Sequence, residues 1–257
     1  MNSEHIRITE EAIKYMRNHL SEDLTSEQLA SSVGYSTYHF IRIFKDVTGI
    51  SPRHYLSALR IEAGKDHLSH SPSSILKILL SIGFQSIGSF STRFKQFVGQ
   101  SPRDFRQKMN TLHQHFIQYQ TKEISPFVEK NQTPSISFNI KTPSSFKGII
   151  FAGLFPRPIP DQRPVVGTAF NHQKKMCTFS NVPKGDYYLL IAGIPWNSNP
   201  LKCFSSDRLL RGKYERVIQM KESTNEHVTI QLREPLPYDP PIVINLPLLL
   251  FEKNRAN

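Results

Sequence analysis

The segment GYSTYHFIRIFKDVTGISPR at 34–53 occurs again, in altered form, as GFQSIGSFSTRFKQFVGQSPR at 83–103. Gly49 and the Ser-Pro-Arg ending are matched fifty positions later, whereas Gly34 is matched by Gly83, forty-nine positions later. The second copy therefore has one additional residue near its glycine turn. Any fold of this chain must use the same structural device twice.

A helix-length segment precedes each copy. TSEQLASSVGY leads into the first copy and SILKILLSIGF into the second, with Leu29 and Val33 matched by Ile78 and Ile82. Each unit is therefore predicted to be a helix, a turn with glycine and a second helix. That order is typical of a helix-turn-helix, whose second helix lies in the DNA major groove. An ordinary helical hairpin is the alternative.

The second helix of the first copy is predicted to be amphipathic. At 100° per residue, its apolar stripe leaves an opposite face that carries polar side chains. The stripe comprises Phe40, Phe44 and Val47, and the opposite face comprises Tyr38, Arg42 and Lys45. Arg42 is placed to donate two hydrogen bonds to guanine, a contact that discriminates bases by about 1–3 kcal/mol. The alternative is a solvated arginine.

The second copy carries the same stripe but a poorer polar face. Its stripe comprises Phe90, Phe94 and Phe97, and its opposite face comprises Gly88, Thr92, Lys95 and Gln96. Thr92 corresponds in position to Arg42, whereas Arg93 lies nearer the core stripe and suits a phosphate contact or packing along the helix edge. We therefore expect the first unit to read bases and the second to clamp the duplex.

Several helix starts are also predicted. Apolar periodicity indicates helices over Ile6–Leu20, Thr25–Val33 and Pro52–Leu68. Serine followed by proline at 51–52, 71–72 and 101–102 predicts an N-cap followed by a first helical residue at each place. Arg53 and Arg103 then lie beside free backbone N–H groups and suit phosphate contacts.

The stretches LTSEQLASSVGYSTYHFIRIFKDVTGISPRHYL and SILKILLSIGFQSIGSFSTRFKQFVGQSPRDFR together resemble the tandem DNA-binding domain of AraC-type transcriptional regulators, over roughly residues 5–110. The resemblance implies two helix-turn-helix units joined by a long helix over about Pro52 to Ser69. Both units would enter successive major-groove faces of one asymmetric site. The sequence departs from the family pattern at Leu79, Gly88 and Thr92, where Ala, Ser and Arg are common.

The residues expected to contact DNA lie on the two exposed helix faces, at the helix starts and at the turns. They are Thr37, Tyr38, Ile41, Arg42, Lys45, Arg53, Ser86, Ile87, Gly88, Thr92, Arg93, Lys95 and Arg103.

The composition changes after the repeat. Three of the 18 prolines precede residue 111, and the other 15 follow it. Residues 111–145 are polar and are predicted to be a partly helical linker. Seven β-type runs follow, which predicts an antiparallel β-sandwich of about seven strands. The runs are KGIIFAGLF, PVVGTAF, KMCTFS, GDYYLLIAGI, ERVIQM, HVTIQLR and PIVINLPLLLF, with one helical turn predicted at SSDRLLRG.

The predicted class is therefore multi-domain, α followed by all-β. An all-α tandem helix-turn-helix domain of about seven helices occupies 1–110, a linker occupies 111–145, and a sensing or association domain occupies 146–257. FSNVPKGDYYLLIAGIPW weakly resembles transthyretin-like or carboxypeptidase-regulatory-like sandwiches. Tyr187, Tyr188 and Trp196 are candidates for a pocket or an interface, with sandwich core as the alternative.

Catalytic and metal signatures are missing from the sequence of the second part. Residues 111–257 contain no nucleophile elbow, no metal-ligand cluster and no phosphate loop, so we expect no enzyme activity, no cofactor and no metal. Cys177 and Cys203 are interpreted as reduced core thiols. The net charge is +11, with +4 in residues 1–110 and +7 in residues 111–257, so the excess is not concentrated at the repeat.

The sequence favours a cytoplasmic, sequence-specific DNA-binding transcription regulator. Its expected partners are double-stranded DNA and RNA polymerase, with a small-molecule effector and a homodimer left open and no membrane. The alternative is a protein-interaction or carbohydrate-binding β module that carries a nonspecific basic DNA-binding domain. The start of the chain lacks the charged-then-apolar order of a signal peptide.

Overall fold

The computed structural model describes residues 2–108, 134–196, 209–246 and 248–249. The chain divides into two compact units, described separately below. The helical unit comprises Met1–Met109 and Leu236–Ile244, and the β unit comprises Asn110–Pro235 and Asn245–Asn257. The predicted class, an all-α domain followed by β-sheets, is confirmed. The boundaries proposed from sequence at 110 and 145 stay predictions.

Seven helices lie within residues 2–108, as predicted. They are α1 (Ser3–Asn18), α2 (Ser26–Ser32), α3 (Thr37–Thr48), α4 (Pro52–His70), α5 (Ile75–Ser81), α6 (Ile87–Val98) and α7, which begins at 102 and is described to 108. Local sequence explains where they start. Thr25 and Gln28 form a reciprocal capping box at α2, and the Ser51 hydroxyl accepts a hydrogen bond from the His54 N–H ahead of Pro52 at the first helical position.

The repeat folds into two helix-turn-helix units of the same form. The unit of α2 and α3 and the unit of α5 and α6 each turn through a left-handed glycine, Gly34 at φ 76° and Gly83 at φ 82°. The second connection runs from 82 to 86 and the first from 33 to 36. The additional residue of the second copy therefore lies in the turn, as predicted from the sequence.

One predicted helix start is wrong. Ser71 ends α4, and α5 begins after Ser74, whose hydroxyl accepts a hydrogen bond from the Lys77 N–H. The Ser71 hydroxyl instead accepts from the Ser73 N–H at 3.1 Å. This local bond closes a turn, a conformation that competes with helix initiation at Pro72.

The helical unit has a phenylalanine core and a strap from a distant part of the chain. Phe40, Phe44, Phe90 and Phe94 are fully buried. The strap is the segment Leu236–Ile244. The sequence assigned 241–251 to a strand, whereas no strand is found over its described residues.

Two hydrogen bonds from α4 hold the strap. Tyr55 donates from its hydroxyl to the Asp239 carbonyl at 2.8 Å, and Lys65 donates from Nζ to the Ile242 carbonyl at 3.0 Å. Lys65 is 2% exposed, so its ammonium group is satisfied by polar atoms rather than by bulk water. These tertiary contacts leave no periodic signal in the sequence.

The β unit contains two sheets. Its strands are β1 (Ser135–Lys141), β2 (Gly148–Phe155), β3 (Val166–Asn171), β4 (Met176–Phe179), β5 (Gly185–Pro195), β6 (Leu210–Lys213), β7 (Ile218–Met220) and β8 (Asn225–Gln231). One sheet has the order β4-β1-β8, and the other has the order β3-β2-β5-β6, with β7 also paired to β5. All strand pairs are antiparallel except β1 with β8.

Two strands correct the sequence prediction. β1 lies inside the segment 111–145 that was assigned to a linker, and residues 111–133 of that segment lie outside the described residues. β6 replaces the end of the predicted helical turn at 205–212, because Leu210 and Lys213 pair with Gly193 and Leu190 of β5. Short strands of this kind are fixed by their partner rather than by their own pattern.

The sandwich core confirms the clearest alternation in the sequence. Val228, Ile230 and Leu232 join one buried cluster with residues of both sheets, while Thr229 and Gln231 are exposed. Cys177 is buried in the same cluster, and Cys203 lies outside the described residues. No helix in the described ranges is both long enough and apolar enough to span a bilayer.

Candidate nucleic-acid interface

Helix α3 buries one face and exposes the opposite one. Phe40 and Phe44 are 0% exposed, whereas Tyr38 is 79% exposed. Arg42 and Lys45 are also exposed, one and two turns along the same side. The structure therefore brings the three predicted side chains of the first unit together on one solvent-facing surface.

Thr37 and Ile41 border this surface and are half-buried. The turn before them is attached to α1, because the Tyr35 hydroxyl donates to Glu4 Oε1 at 3.0 Å. That hydrogen bond, with a smaller contribution from the Glu4 charge, raises the pKa of Tyr35. Tyr35 is therefore neutral at physiological pH and remains a donor that positions the start of α3.

Helix α6 presents a weaker version of the same surface. Gly88, Thr92 and Lys95 are exposed, and Ile87 is 51% exposed at the first helical position. A Cβ atom added at Gly88 would meet no atom within 4 Å. The surface of α6 thus offers one cation, one hydroxyl and one apolar side chain of the kind that contacts a thymine methyl group.

Two predicted residues of the second unit are held by their own helix. Arg93 donates to Gln96 Oε1 at 3.2 Å, and its guanidinium lies 5.6 Å from the centre of the Phe97 ring. The Ser86 hydroxyl accepts from the Ser89 N–H at 3.2 Å and caps α6. A DNA contact by either side chain would compete with these bonds, so their assignment to DNA stays a prediction.

The two helix-start arginines are exposed at equivalent places. Arg53 follows Pro52 in the first turn of α4, and Arg103 follows Pro102 in the first turn of α7. The Ser101 hydroxyl accepts from the Asp104 N–H at 3.1 Å, which confirms the predicted cap. Each guanidinium is therefore beside a helix N-terminus that attracts anions.

Arg60 on α4 binds the connection between α1 and α2. Its Nε donates to the Leu20 carbonyl at 3.1 Å, and its terminal nitrogen donates to the Glu22 carbonyl. Burial lowers the pKa of Arg60, with an opposing contribution from Asp23. No sequence pattern singles out Arg60, because its partners are backbone carbonyls about forty positions away.

The sequence also missed an exposed apolar pair. Leu76 and Leu80 on α5 are 50% and 53% exposed, whereas Ile78 and Leu79 are buried. A spacing of four residues places Leu76 and Leu80 on one helix face, so helical periodicity is the signal that could have found this pair.

The candidates in the β unit do not form one site. Tyr187 is 7% exposed and belongs to the sandwich core, which was the alternative interpretation of this residue. Tyr188 is half-buried under Lys213, whose Nζ lies 5.8 Å from the ring centre. Trp196 is half-buried, and its backbone N–H donates to the Lys147 carbonyl at 2.9 Å.

Within the described ranges, no group of three or more His, Cys, Asp or Glu side chains is placed to hold a metal.

Residues 29–108 match the family model described as a helix-turn-helix domain. This part of the chain is an AraC-type helix-turn-helix domain. The resemblance stated from the sequence is therefore confirmed for the helical unit. The match covers the AraC-type domain alone, and the likeness of the β unit to transthyretin-like sandwiches stays a prediction.

Curated relatives match the same part of the chain. An uncharacterized HTH-type transcriptional regulator of Staphylococcus aureus is 36% identical over 92 residues, which is 36% of this chain and 12% of that protein. Regulatory protein PocR of Salmonella typhimurium is 34% identical over 99 residues, which is 38% of this chain and 33% of PocR. The match thus spans about an eighth to a third of the length of these relatives.

Solved structures are similar to the AraC-type domain as well. A transcriptional regulator of Chromobacterium violaceum with an AraC-type DNA-binding domain is 29% identical, with a TM-score of 0.40 over 42% of this chain and 96% of its own. The DNA-binding domain of AdpA, solved with a target DNA, is 26% identical, with a TM-score of 0.39 over 40% of this chain and 93% of its own.

Proposed function

We propose that this chain is a cytoplasmic transcription regulator that binds double-stranded DNA sequence-specifically through its AraC-type domain. The proposal rests on one observation: two helix-turn-helix units of the same form leave the outer faces of α3 and α6 open to solvent. Recognition helices spaced by one helical turn, about 34 Å, read successive major-groove faces. The expected site is therefore asymmetric.

The two units divide the work unequally. The surface of α3 offers Tyr38, Arg42 and Lys45, which suit direct base contacts. The surface of α6 offers Thr92 and Lys95 and less hydrogen-bonding capacity. We therefore assign base reading chiefly to the first unit and clamping of the phosphate backbone chiefly to the second.

The β unit is proposed to modulate this activity by binding a ligand or a protein. A ligand that favours one arrangement of the chain shifts DNA occupancy by its difference in affinity for the two arrangements. RNA polymerase and a second copy of the chain are the protein partners that we propose for such a role.

The test is selection of bound sequences from a random DNA pool, followed by two matched variants. Arg42→Ala should remove selectivity at one or two adjacent base pairs, at a cost of about 1–3 kcal/mol there. Arg53→Ala should weaken all sequences alike and make the salt dependence shallower by about one unit of slope.

Thr92→Ala is the control at the equivalent position of α6, and it should change the selected motif less than Arg42→Ala does. An unchanged motif in Arg42→Ala would show that another residue reads the bases. A full-length chain that selects no sequence over random DNA would refute the proposed function.

A further inference from the structure

The side chain of Arg60 lies where the two helix-turn-helix units meet. Arg60 is near the middle of α4, and its guanidinium donates to the Leu20 carbonyl at 3.1 Å and to the Glu22 carbonyl. Leu20 and Glu22 belong to the connection that leads from α1 into α2, the first helix of the first unit. Arg60 therefore ties the entry of the first unit to α4.

The turn of the second unit lies against the same atoms. A Cβ added at Gly83 would lie 2.2 Å from the Leu20 carbonyl oxygen and 2.9 Å from the Arg60 guanidinium. Such distances leave room for glycine alone, so the backbone between α5 and α6 touches both the first unit and α4. We call Leu20, Glu22, Arg60 and Gly83 the junction.

Short connections flank α4 on both sides of the junction. Residues 49–51 lead from α3 into α4, with Gly49 in a left-handed backbone at φ 81°, and residues 71–74 lead from α4 into α5. A few residues at the ends of rigid elements are the places where φ and ψ changes turn one element against another. The junction spans both connections, so it restrains the angle between the two units.

Arginine suits this position because its planar guanidinium can donate to two carbonyls at once and is always charged. Phe44 and Tyr55 also join α3 to α4, with ring centres 5.4 Å apart. That apolar contact is not directional, whereas a hydrogen bond weakens steeply when its angle changes. The two bonds of Arg60 therefore fix an angle that ring packing alone leaves free.

We propose that Arg60 is a positioning residue for DNA binding, which presets the outer faces of α3 and α6 in one arrangement. It acts through the Leu20 and Glu22 carbonyls and not by contact with DNA. The inference rests on the proposed function, in which both units of one chain bind one site. Once the first unit is bound, binding by the second is intramolecular, and presetting its geometry removes an ordering cost.

The test measures how much the second unit adds to the affinity of the full-length chain. Fluorescence anisotropy gives Kd for a long duplex with the whole selected site and for a short duplex with only the half that Arg42→Ala affects. The ratio of the two Kd values is the gain, expected to be about 10²–10⁴ for wild type. Partial unfolding weakens binding to both duplexes alike, so the gain reports positioning and not stability.

Arg60→Met keeps a long unbranched side chain without any donor, and it should lower the gain by about tenfold. Arg60→Lys keeps the charge but has no planar fork, so its gain should lie between those of wild type and Arg60→Met.

The matched control is Arg7→Met, which removes an arginine that pairs with Glu11 of its own helix at 2.8 Å. Its gain should equal that of wild type. A second pair of variants perturbs the junction from the other side. Gly83→Ala displaces the Leu20 carbonyl and should lower the gain, whereas Gly34→Ala should not, because a Cβ there meets no atom within 4 Å.

An unchanged gain in Arg60→Met would overturn the proposal, because other contacts would then set the angle between the units. Equal losses of gain in Arg60→Met and Arg7→Met would reduce the effect to charge and overturn it as well. The proposed function fails separately, when the chain prefers no sequence. In that case the gain of each variant relative to wild type is measured on random duplexes of the same two lengths, and it still tests Arg60.

Discussion

The substitution Gly83→Ala tests whether atoms packed against the turn of the second helix-turn-helix unit require a glycine there. Gly34 and Gly83 play the same part in the two units, at φ 76° and 82°. A Cβ added at Gly34 would meet nothing within 4 Å. A Cβ added at Gly83 would lie 2.2 Å from the Leu20 carbonyl oxygen and 2.9 Å from the Arg60 guanidinium. The same substitution therefore meets open space in one unit and backbone in the other.

The magnitudes follow from these contacts. A left-handed backbone costs an alanine about 1–2 kcal/mol, and we expect this cost alone for Gly34→Ala. Gly83→Ala carries the same cost and must also displace the Leu20 carbonyl, which accepts from Arg60 Nε at 3.1 Å. Loss of that hydrogen bond to a charged donor adds about 1.5–3 kcal/mol. The difference corresponds to a melting temperature lower by about 10 °C.

The assay is thermal unfolding of both variants of the full-length chain. Circular dichroism at 222 nm follows the seven helices of residues 2–108, and Trp196 fluorescence follows the β unit. Asparagine tolerates the left-handed region, so Gly34→Asn should be nearly neutral while Gly83→Asn stays costly. Equal shifts for Gly34→Ala and Gly83→Ala would refute the reasoning.

Two further substitutions test single contacts. Gly88→Ala should stabilise the helical unit by about 0.5–1 kcal/mol, because Gly88 is helical and a Cβ there meets no atom within 4 Å. A lower melting temperature, followed by circular dichroism at 222 nm, would contradict this. Tyr55→Phe should destabilise it by about 1 kcal/mol, since it removes the 2.8 Å hydrogen bond to the Asp239 carbonyl. An unchanged unfolding midpoint would show that the strap does not depend on this bond.

Sequence reasoning succeeded where the signal was local and repeated. The apolar stripes that contain Phe40 and Phe90 predicted which faces of α3 and α6 are buried. The glycines Gly34 and Gly83 predicted the two turns, and both adopt a left-handed backbone. It failed where the partner is distant. β6 is a strand because of its pairing with β5. It also failed where two local structures compete, because Ser71 closes a turn with Ser73 rather than capping a helix.

The residues predicted to contact DNA show the same limit. The helical period correctly predicted that Tyr38, Arg42 and Lys45 share an exposed face. It does not reveal that Arg93 lies over Phe97 or that Ser86 is used by its own helix cap. Such competition depends on side-chain rotamers, which the residue pattern does not specify.

The sequence by itself determined the two-part architecture, the tandem helix-turn-helix repeat and the face that each recognition helix exposes. These properties depend on periodicity and on glycine, serine and proline at turns and caps, which act within a few residues. Only the tertiary structure decided that Leu236–Ile244 packs with the helical unit and that β6 pairs with β5. Strand register and long-range hydrogen bonds join residues up to 184 positions apart, and no local pattern encodes them.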